Sequence, residues 1–246
     1  MTPSPLAIER ATVATWPAAV TEDHDGWLLL AAGGVTGRVN ACWPLDWRGG
    51  DADAAIDAVE AWYAARNLPP RFKLTDAAFA PRDLPERLAR RGYEAVSATL
   101  IMTAPLGAHQ GDAEVALSDD MSAQFDAVLR ETAKDPSEYD ERRAIALRAP
   151  RPAAFAMIEA HGAIAAIGMS ARANDLTGIF LMRTAPEARR QGHARRILRT
   201  LLSQAAQTGA ATAFLQVDAD NAPAVTLYSS EGFAPVATYR FWRKRA

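Results

Sequence analysis

Hydrophobic and polar positions along this chain change period repeatedly, which predicts short strands alternating with helices. Gly26 to Leu30 and Val35 to Asn40 are strand-like runs on either side of Gly33-Gly34, and together they predict a hairpin. Asp53 to Arg66 places Ile56, Val59, Trp62 and Tyr63 on one helical face, and Pro69-Pro70 ends it. Phe72 to Thr75 reads as a strand, Leu84 to Arg91 as a helix with Gly92 at its end, and Tyr93 to Met102 as a strand. Ala104 to Ala113 follows neither period and contains Pro105, Gly107 and Gly111, so it predicts a linker.

Beyond the linker the pattern restarts. A strand is expected near Glu114 to Leu117, and then a helix from Met121 to Lys134 with Phe125, Val128 and Leu129 as its apolar stripe. A second helix is expected to begin at Ser137, capped by its hydroxyl with Asp140 returning the bond, and to stop before Pro150. Phe155 to Glu159 and Ala163 to Ser170 predict a hairpin about His161-Gly162, and Asn174-Asp175 turns into a strand over Thr177 to Arg183. Arg195 to Gln207 is an amphipathic helix, Phe214 to Val217 a strand, Pro223 to Ser230 a short helix and Phe233 to Trp242 a final strand. Leu88 to Val96 can be laid on Tyr228 to Val236 with a constant offset of 140, Gly92 on Gly232. The same order of helix, strand, short helix, Gly-aromatic and strand precedes both ends, which predicts two related α/β units over 1–105 and 112–246.

Composition narrows the function. With 246 residues, 49% hydrophobic and 23% charged, the chain can bury a core of ordinary soluble type. A net charge of −2 provides no global field for nucleic acid or an anionic membrane, so neither is expected as a partner. Glu9 and Arg10 interrupt the apolar stretch a signal peptide would need, no run approaches a membrane span, and the cytoplasm is the expected compartment. The single cysteine, Cys42, reads as a small buried hydrophobe, and no histidines stand at metal-ligand spacing. The tryptophans, concentrated in the first half, are expected mainly to pack the core, with a pocket or interface as the alternative.

The densest chemistry lies between a strand and the long amphipathic helix, at Thr184-Ala185-Pro186-Glu187-Ala188-Arg189-Arg190-Gln191-Gly192-His193-Ala194-Arg195. Small residues at Gly192 and Ala194 allow close backbone approach, and the unpaired N–H groups of a helix start face the same point, which makes an anion cradle. Arg189, Arg190, Arg195 and Arg196 add local positive charge. A solvated helix start with ordinary capping is the alternative. Downstream stands Asn221-Ala222-Pro223-Ala224-Val225-Thr226-Leu227-Tyr228-Ser229-Ser230-Glu231-Gly232-Phe233.

Together these two segments resemble the GNAT superfamily of N-acetyltransferases, with its Arg/Gln-x-x-Gly-x-Gly/Ala loop and Asn-x-x-Ala-x-x-Leu-Tyr-x-x-x-Gly-Phe motif. The resemblance is specific over 155–242. It implies an acyl-CoA N-acyltransferase fold in two tandem units: a mixed, mostly antiparallel central sheet flanked by helices. It also implies acetyl-CoA as cosubstrate, no metal, and a small-molecule or peptide amine as acceptor. Backbone groups of Met182, Arg183 and Thr184 would bind the pantetheine arm, and those of Arg189, Arg190, Gln191, Gly192, His193, Ala194 and Arg195 would surround the pyrophosphate. Asn221 would bond the arm, and Tyr228 would point at the sulfur, where a phenol can donate to developing negative charge.

The first half keeps the shape and lacks the site: Leu88 stands opposite Tyr228, and Asp51 and Asp53 fall where Gln191 and His193 stand. It reads as a degenerate GNAT-like unit that covers the acceptor cleft or completes a sheet. Glu159, His161, Asp175 and Asp218 are candidates for the general base, though turn or capping roles compete. An acyl-CoA sensor without turnover is the alternative function, and a homodimer is left open.

Overall fold

The computed structural model describes residues 2–107 and 109–244. The first half runs α1 (Pro5–Thr15), β1 (Val20–His24), β2 (Trp27–Ala31), β3 (Cys42–Pro44), α2 (Ala52–Ala64), β4 (Arg71–Thr75), α3 (Leu84–Arg90) and β5 (Tyr93–Pro105). The second runs β6 (Val115–Ser118), α4 (Ala123–Glu131), α5 (Pro136–Arg148), β7 (Ala153–Ala160), β8 (Ala163–Ala173), β9 (Leu176–Thr184), α6 (His193–Gln207), β10 (Thr212–Asp218), α7 (Ala222–Ser230) and β11 (Ala234–Lys244).

Four elements repeat at close to the expected spacing of 140: α2, β4, α3 and β5 correspond to α6, β10, α7 and β11. Gly92 and Gly232, which precede the repeated strands, both have positive φ, +80° and +87°. Only glycine adopts that turn without a Cβ penalty. All strands join one eleven-stranded sheet, in the order β1-β2-β3-β4-β11-β5-β10-β9-β8-β7-β6. Every neighbouring pair is antiparallel except β3–β4 and β9–β10.

The order at the centre is an exchange. If each half kept its own last strand, β5 would flank β4 and β11 would flank β10. Instead β11 pairs with β4 through Tyr239↔Thr75 to Arg243↔Arg71, and β5 pairs with β10 through Thr212↔Pro105 to Asp218↔Thr99. The two halves are thereby interlocked within one sheet.

Successive residues of a strand point to opposite faces, so adjacent apolar residues feed different cores. Leu30, Ile101 and Phe180 enter one that also holds Ile8 of α1, Phe125 of α4 and Ile145 of α5. Met102 and Ile179 join Ile197, Leu198, Leu201 and Leu202 of α6 on the opposite face, while Leu29 packs with Ile56 and Val59 of α2. Truncating any of the four buried α6 residues to alanine costs about 2–5 kcal/mol by loss of burial and cavity formation.

Several sequence expectations need correction. The first hairpin joins β1 to β2 across Asp25 (φ +50°) and Gly26 (φ +92°), a pair suited to a two-residue turn. Val35 to Asn40 is not a strand, because side chains take its backbone donors. Asn40 Oδ1 accepts from Ala32 and Gly34, Glu141 accepts from Val35 and Thr36, and Gly37–Val39 forms a 3₁₀ turn. The predicted linker begins too early, since β5 runs to Pro105. α5 is capped by Asp135, whose side chain accepts from Glu138 N at 2.9 Å, and not by Ser137. α1 escapes the periodicity because Glu9, Thr12 and Thr15 are as buried as its apolar positions. Glu9 is balanced by Lys73, itself held between the rings of Trp43 (3.8 Å) and Tyr239 (4.0 Å). Cys42 is buried, as a small hydrophobe would be.

Candidate active site

A cleft opens where β9 and β10 part. Their parallel pairing covers only Thr212↔Leu176, Ala213↔Thr177 and Phe214↔Gly178, after which the strands diverge. On its other side β9 carries a bulge, with Ile167↔Arg183 followed by Met169↔Phe180, and Leu181 within it adopts φ +51°. A leucine there is uncommon and costs about 1–3 kcal/mol, the kind of local irregularity that redirects a strand beside a site. The cleft widens into a cavity of about 600 Å³.

Met182 and Arg183 line this cavity, as do Asn221 and Tyr228; Thr184 ends β9 beside them. Asn221, rather than Asp218 or Asp220, caps α7, its Oδ1 accepting from Ala224 N at 3.3 Å. Its side-chain amide N–H groups have no acceptor among the described residues. The Tyr228 ring packs edge-on to Phe233 at 6.0 Å, and burial pushes its hydroxyl up to about 12. That hydroxyl makes no hydrogen bond among the described residues. It stays protonated at neutral pH and is available as a donor.

The loop before α6 presents backbone donors without partners. Arg190 (φ +62°) and Gly192 (φ +86°) are left-handed, and the N–H groups of Arg190 to Ala194 find no acceptor among the described residues. A Cβ on Gly192 would meet no atom within 4 Å, so the space over the loop is open. His193 is buried with Nδ1 unpartnered, while its Nε2 lies 3.4 Å from Gln191 Oε1. Consecutive N–H groups of this kind at a helix start suit a phosphate. The flanking arginines divide: Arg195 is tied to Glu231 and Arg196 to Asp112 and Glu114, whereas Arg189 and Arg190 are exposed without an ion pair among the described residues. The corresponding start of α2 is closed by its own chain. Asp51 caps it, and Asp53 is held by Arg87 and Arg91.

Of the four base candidates, Asp218 lines the cavity and accepts from Thr99 Oγ1 at 3.2 Å. Glu159, His161 and Asp175 are not among its lining residues; Glu159 lies near the end of β7 and the other two in hairpin turns. The opposite wall bears out for Trp16 the pocket alternative that the tryptophans were given: it stacks on Phe180 at 4.8 Å and lines the cavity. Sequence reasoning missed the other members of that wall, among them Arg38, Glu138 and Arg142, for which the available signal was the Glu138–Arg142 spacing of four, a helical ion pair at 2.7 Å. Burial works to raise the Glu138 carboxyl, but the Lys134 N–H and the charges of Arg142 and Arg183 outweigh it and hold the pKa below the usual value. Among the described residues no cluster of His, Cys, Asp and Glu could hold a metal ion, and no helix is long and apolar enough to cross a membrane.

Residues 5–242 match the family model described as "Probable histone acetyltransferase Rv0428c C-terminal". The chain is 29% identical over 246 residues to an uncharacterized N-acetyltransferase, YobR, of Bacillus subtilis (strain 168), covering 97% of this chain and 98% of that one. A GCN5-related N-acetyltransferase from Kribbella flavida superposes with a TM-score of 0.72 at 18% identity, covering 100% of this chain and 97% of the other. A tandem GNAT protein from the clavulanic acid biosynthesis pathway gives 0.61 at 15%, covering 97% and 87%. The structural likeness speaks for the fold, while the family match spans nearly the whole chain. This chain therefore belongs to that acetyltransferase family, is an acyltransferase, and has the fold of the GCN5-related N-acetyltransferases.

Proposed function

We propose that the protein moves an acetyl group from acetyl-CoA to a primary amine of a small molecule or peptide, by direct attack and without a covalent enzyme intermediate. One observation carries the reading: β9 and β10 part beside a cavity lined by Met182, Arg183, Asn221 and Tyr228, and the loop that follows β9, though outside that lining, carries unpartnered N–H groups. Acetyl-CoA supplies an acyl carbon activated as a thioester. The donors of Arg190 to Ala194 hold its pyrophosphate, with Arg189 and Arg190 adding charge. Strand β9 at Met182 to Thr184 and the Asn221 amide orient its arm.

The amine nitrogen bonds to the acyl carbon as the carbon–sulfur bond breaks. Tyr228 gives its proton to the departing sulfur, which leaves as the thiol, and water returns a proton to the phenol while Asp218 releases the one it takes. Asp218 takes the amine proton, because Glu138 already accepts from three donors whereas Asp218 accepts from Thr99. A CoA-release assay with acetyl-CoA and a broad panel of amines, amino acids and peptides tests the reading, with mass spectrometry of the products. Acceptor-dependent release of CoA and a product heavier than the acceptor by one acetyl group are expected. Tight acetyl-CoA binding without release across the panel would mark a sensor instead.

A further inference from the structure

The acceptor wall carries a charge that the transfer chemistry does not use. Arg38, Lys134, Arg142 and Arg183 line the cavity with Asp135, Glu138 and Asp218. Most of these charges are committed. Glu138 receives Arg142 at 2.7 Å and Arg183 at 3.2 Å, and Asp135 caps α5. Arg38 and Lys134 differ: neither side chain makes a hydrogen bond or ion pair among the described residues, but Lys134 is exposed, whereas Arg38 is half-buried against the face of Trp16, 5.8 Å from the ring centroid. Burial lowers its pKa and Arg142 adds to the effect, while Tyr239, Asp218 and Glu9 attract it. A guanidinium remains charged regardless, so five donors stand in a partly desolvated cavity without an acceptor.

The backbone that carries Arg38 is held in place. Glu141 of α5 accepts from Val35 N at 3.2 Å, from Thr36 N and from Asn40 Nδ2 at 2.8 Å, and the Arg38 carbonyl accepts from Trp43 Nε1 at 3.0 Å. A fixed fork of donors recognises a carboxylate or phosphate. Arg142 and Arg183 share Glu138, so the half-buried guanidinium left to meet a ligand's anionic group is that of Arg38.

We propose that the acceptor is a small amine that also carries an anionic oxygen group, a carboxylate or a phosphate, docked on Arg38. The proposal rests on the acetyl-transfer reading. The first half of the chain thus contributes the specificity-determining residue, although its own cofactor loop is closed.

The test compares matched acceptors in the CoA-release assay: free amino acids, their amides, aminoalkyl phosphates and a lysine-rich peptide. The acids or the phosphates are expected to exceed the amides in kcat/KM by at least tenfold, and which of the two does so identifies the anion. In Arg38→Gln that advantage collapses, and Arg38→Lys restores part of it. Amides or the lysine-rich peptide used as well as the acids would overturn the proposal. If acetyl-CoA binds and no acceptor releases CoA, the transfer reading fails, and calorimetric titration of the acetyl-CoA complex with the same acid and amide pairs then decides. Equal affinity for acid and amide, or undetectable binding of both, overturns the anion site, whereas acid-selective binding that Arg38→Gln abolishes upholds it.

Discussion

Replacing Tyr228 with phenylalanine separates the tyrosine's chemistry from its packing. The ring is 8% exposed and meets Phe233 edge-on, contacts that phenylalanine keeps, while the lost hydroxyl has no hydrogen-bond partner among the described residues. Stability should therefore move by less than about 0.5 kcal/mol, roughly 1–2 °C in Tm for a chain of this size. The catalytic effect is far larger. Removing one donor aimed at developing charge costs about 2.7–4 kcal/mol, or roughly 100- to 1,000-fold in kcat. Because burial pushes the hydroxyl up to about 12, its proton is retained through the neutral range, and no decline in wild-type rate below pH 10 should trace to it. Thermal melts and initial rates of CoA release on the same preparations provide both readouts. Undiminished turnover in Tyr228→Phe would refute the reasoning, as would a loss of rate that only parallels a loss of folded protein.

Gly192→Ala forces an L-residue to φ +86°, which costs about 1–2 kcal/mol, and places a methyl in the open space over the loop; Tm should fall by a few degrees and KM for acetyl-CoA should rise. Glu9→Gln leaves the buried Lys73 cation without its counter-charge and should destabilise by about 3–5 kcal/mol in denaturant titration. The double variant Glu9→Leu with Lys73→Met should lose less than either single change, because no charge then remains buried. At Asp112 the Arg196 fork is the largest influence and holds the carboxyl at about 2, below its ordinary 3.8. The stability from that pair should be complete above the ordinary value and disappear as pH falls through about 2, and Arg196→Ala should return the Asp112 titration seen by NMR toward 3.8.

Most elements were legible because their local signals agree with their final surroundings. α6 combines an apolar stripe with Gly192 before it and Gly209 beyond it, and Gly92 and Gly232 each precede a long strand, β5 and β11, as their spacing predicts. Where side chains rather than backbone partners settle the conformation, local reading failed. Val35 to Asn40 looks extended until Glu141, about a hundred residues away, takes its donors, and α1 looks irregular until Lys73 explains a buried Glu9.

The candidate site divides along the same line. The side proposed for the cofactor is a contiguous loop and a contiguous helix, so residue order alone could nominate the loop before α6, Asn221 and Tyr228. The opposite wall of the cavity is assembled from Trp16 and Arg38 of the first half with Phe180, Glu138 and Arg142 of the second. Sequence also announced two related units, but not that they exchange β5 and β11 within one sheet. Strand pattern specifies which face is apolar, and either last strand has a face that fits. Which neighbour each one takes depends on packing across the whole sheet, and that choice joins the two halves around the cavity.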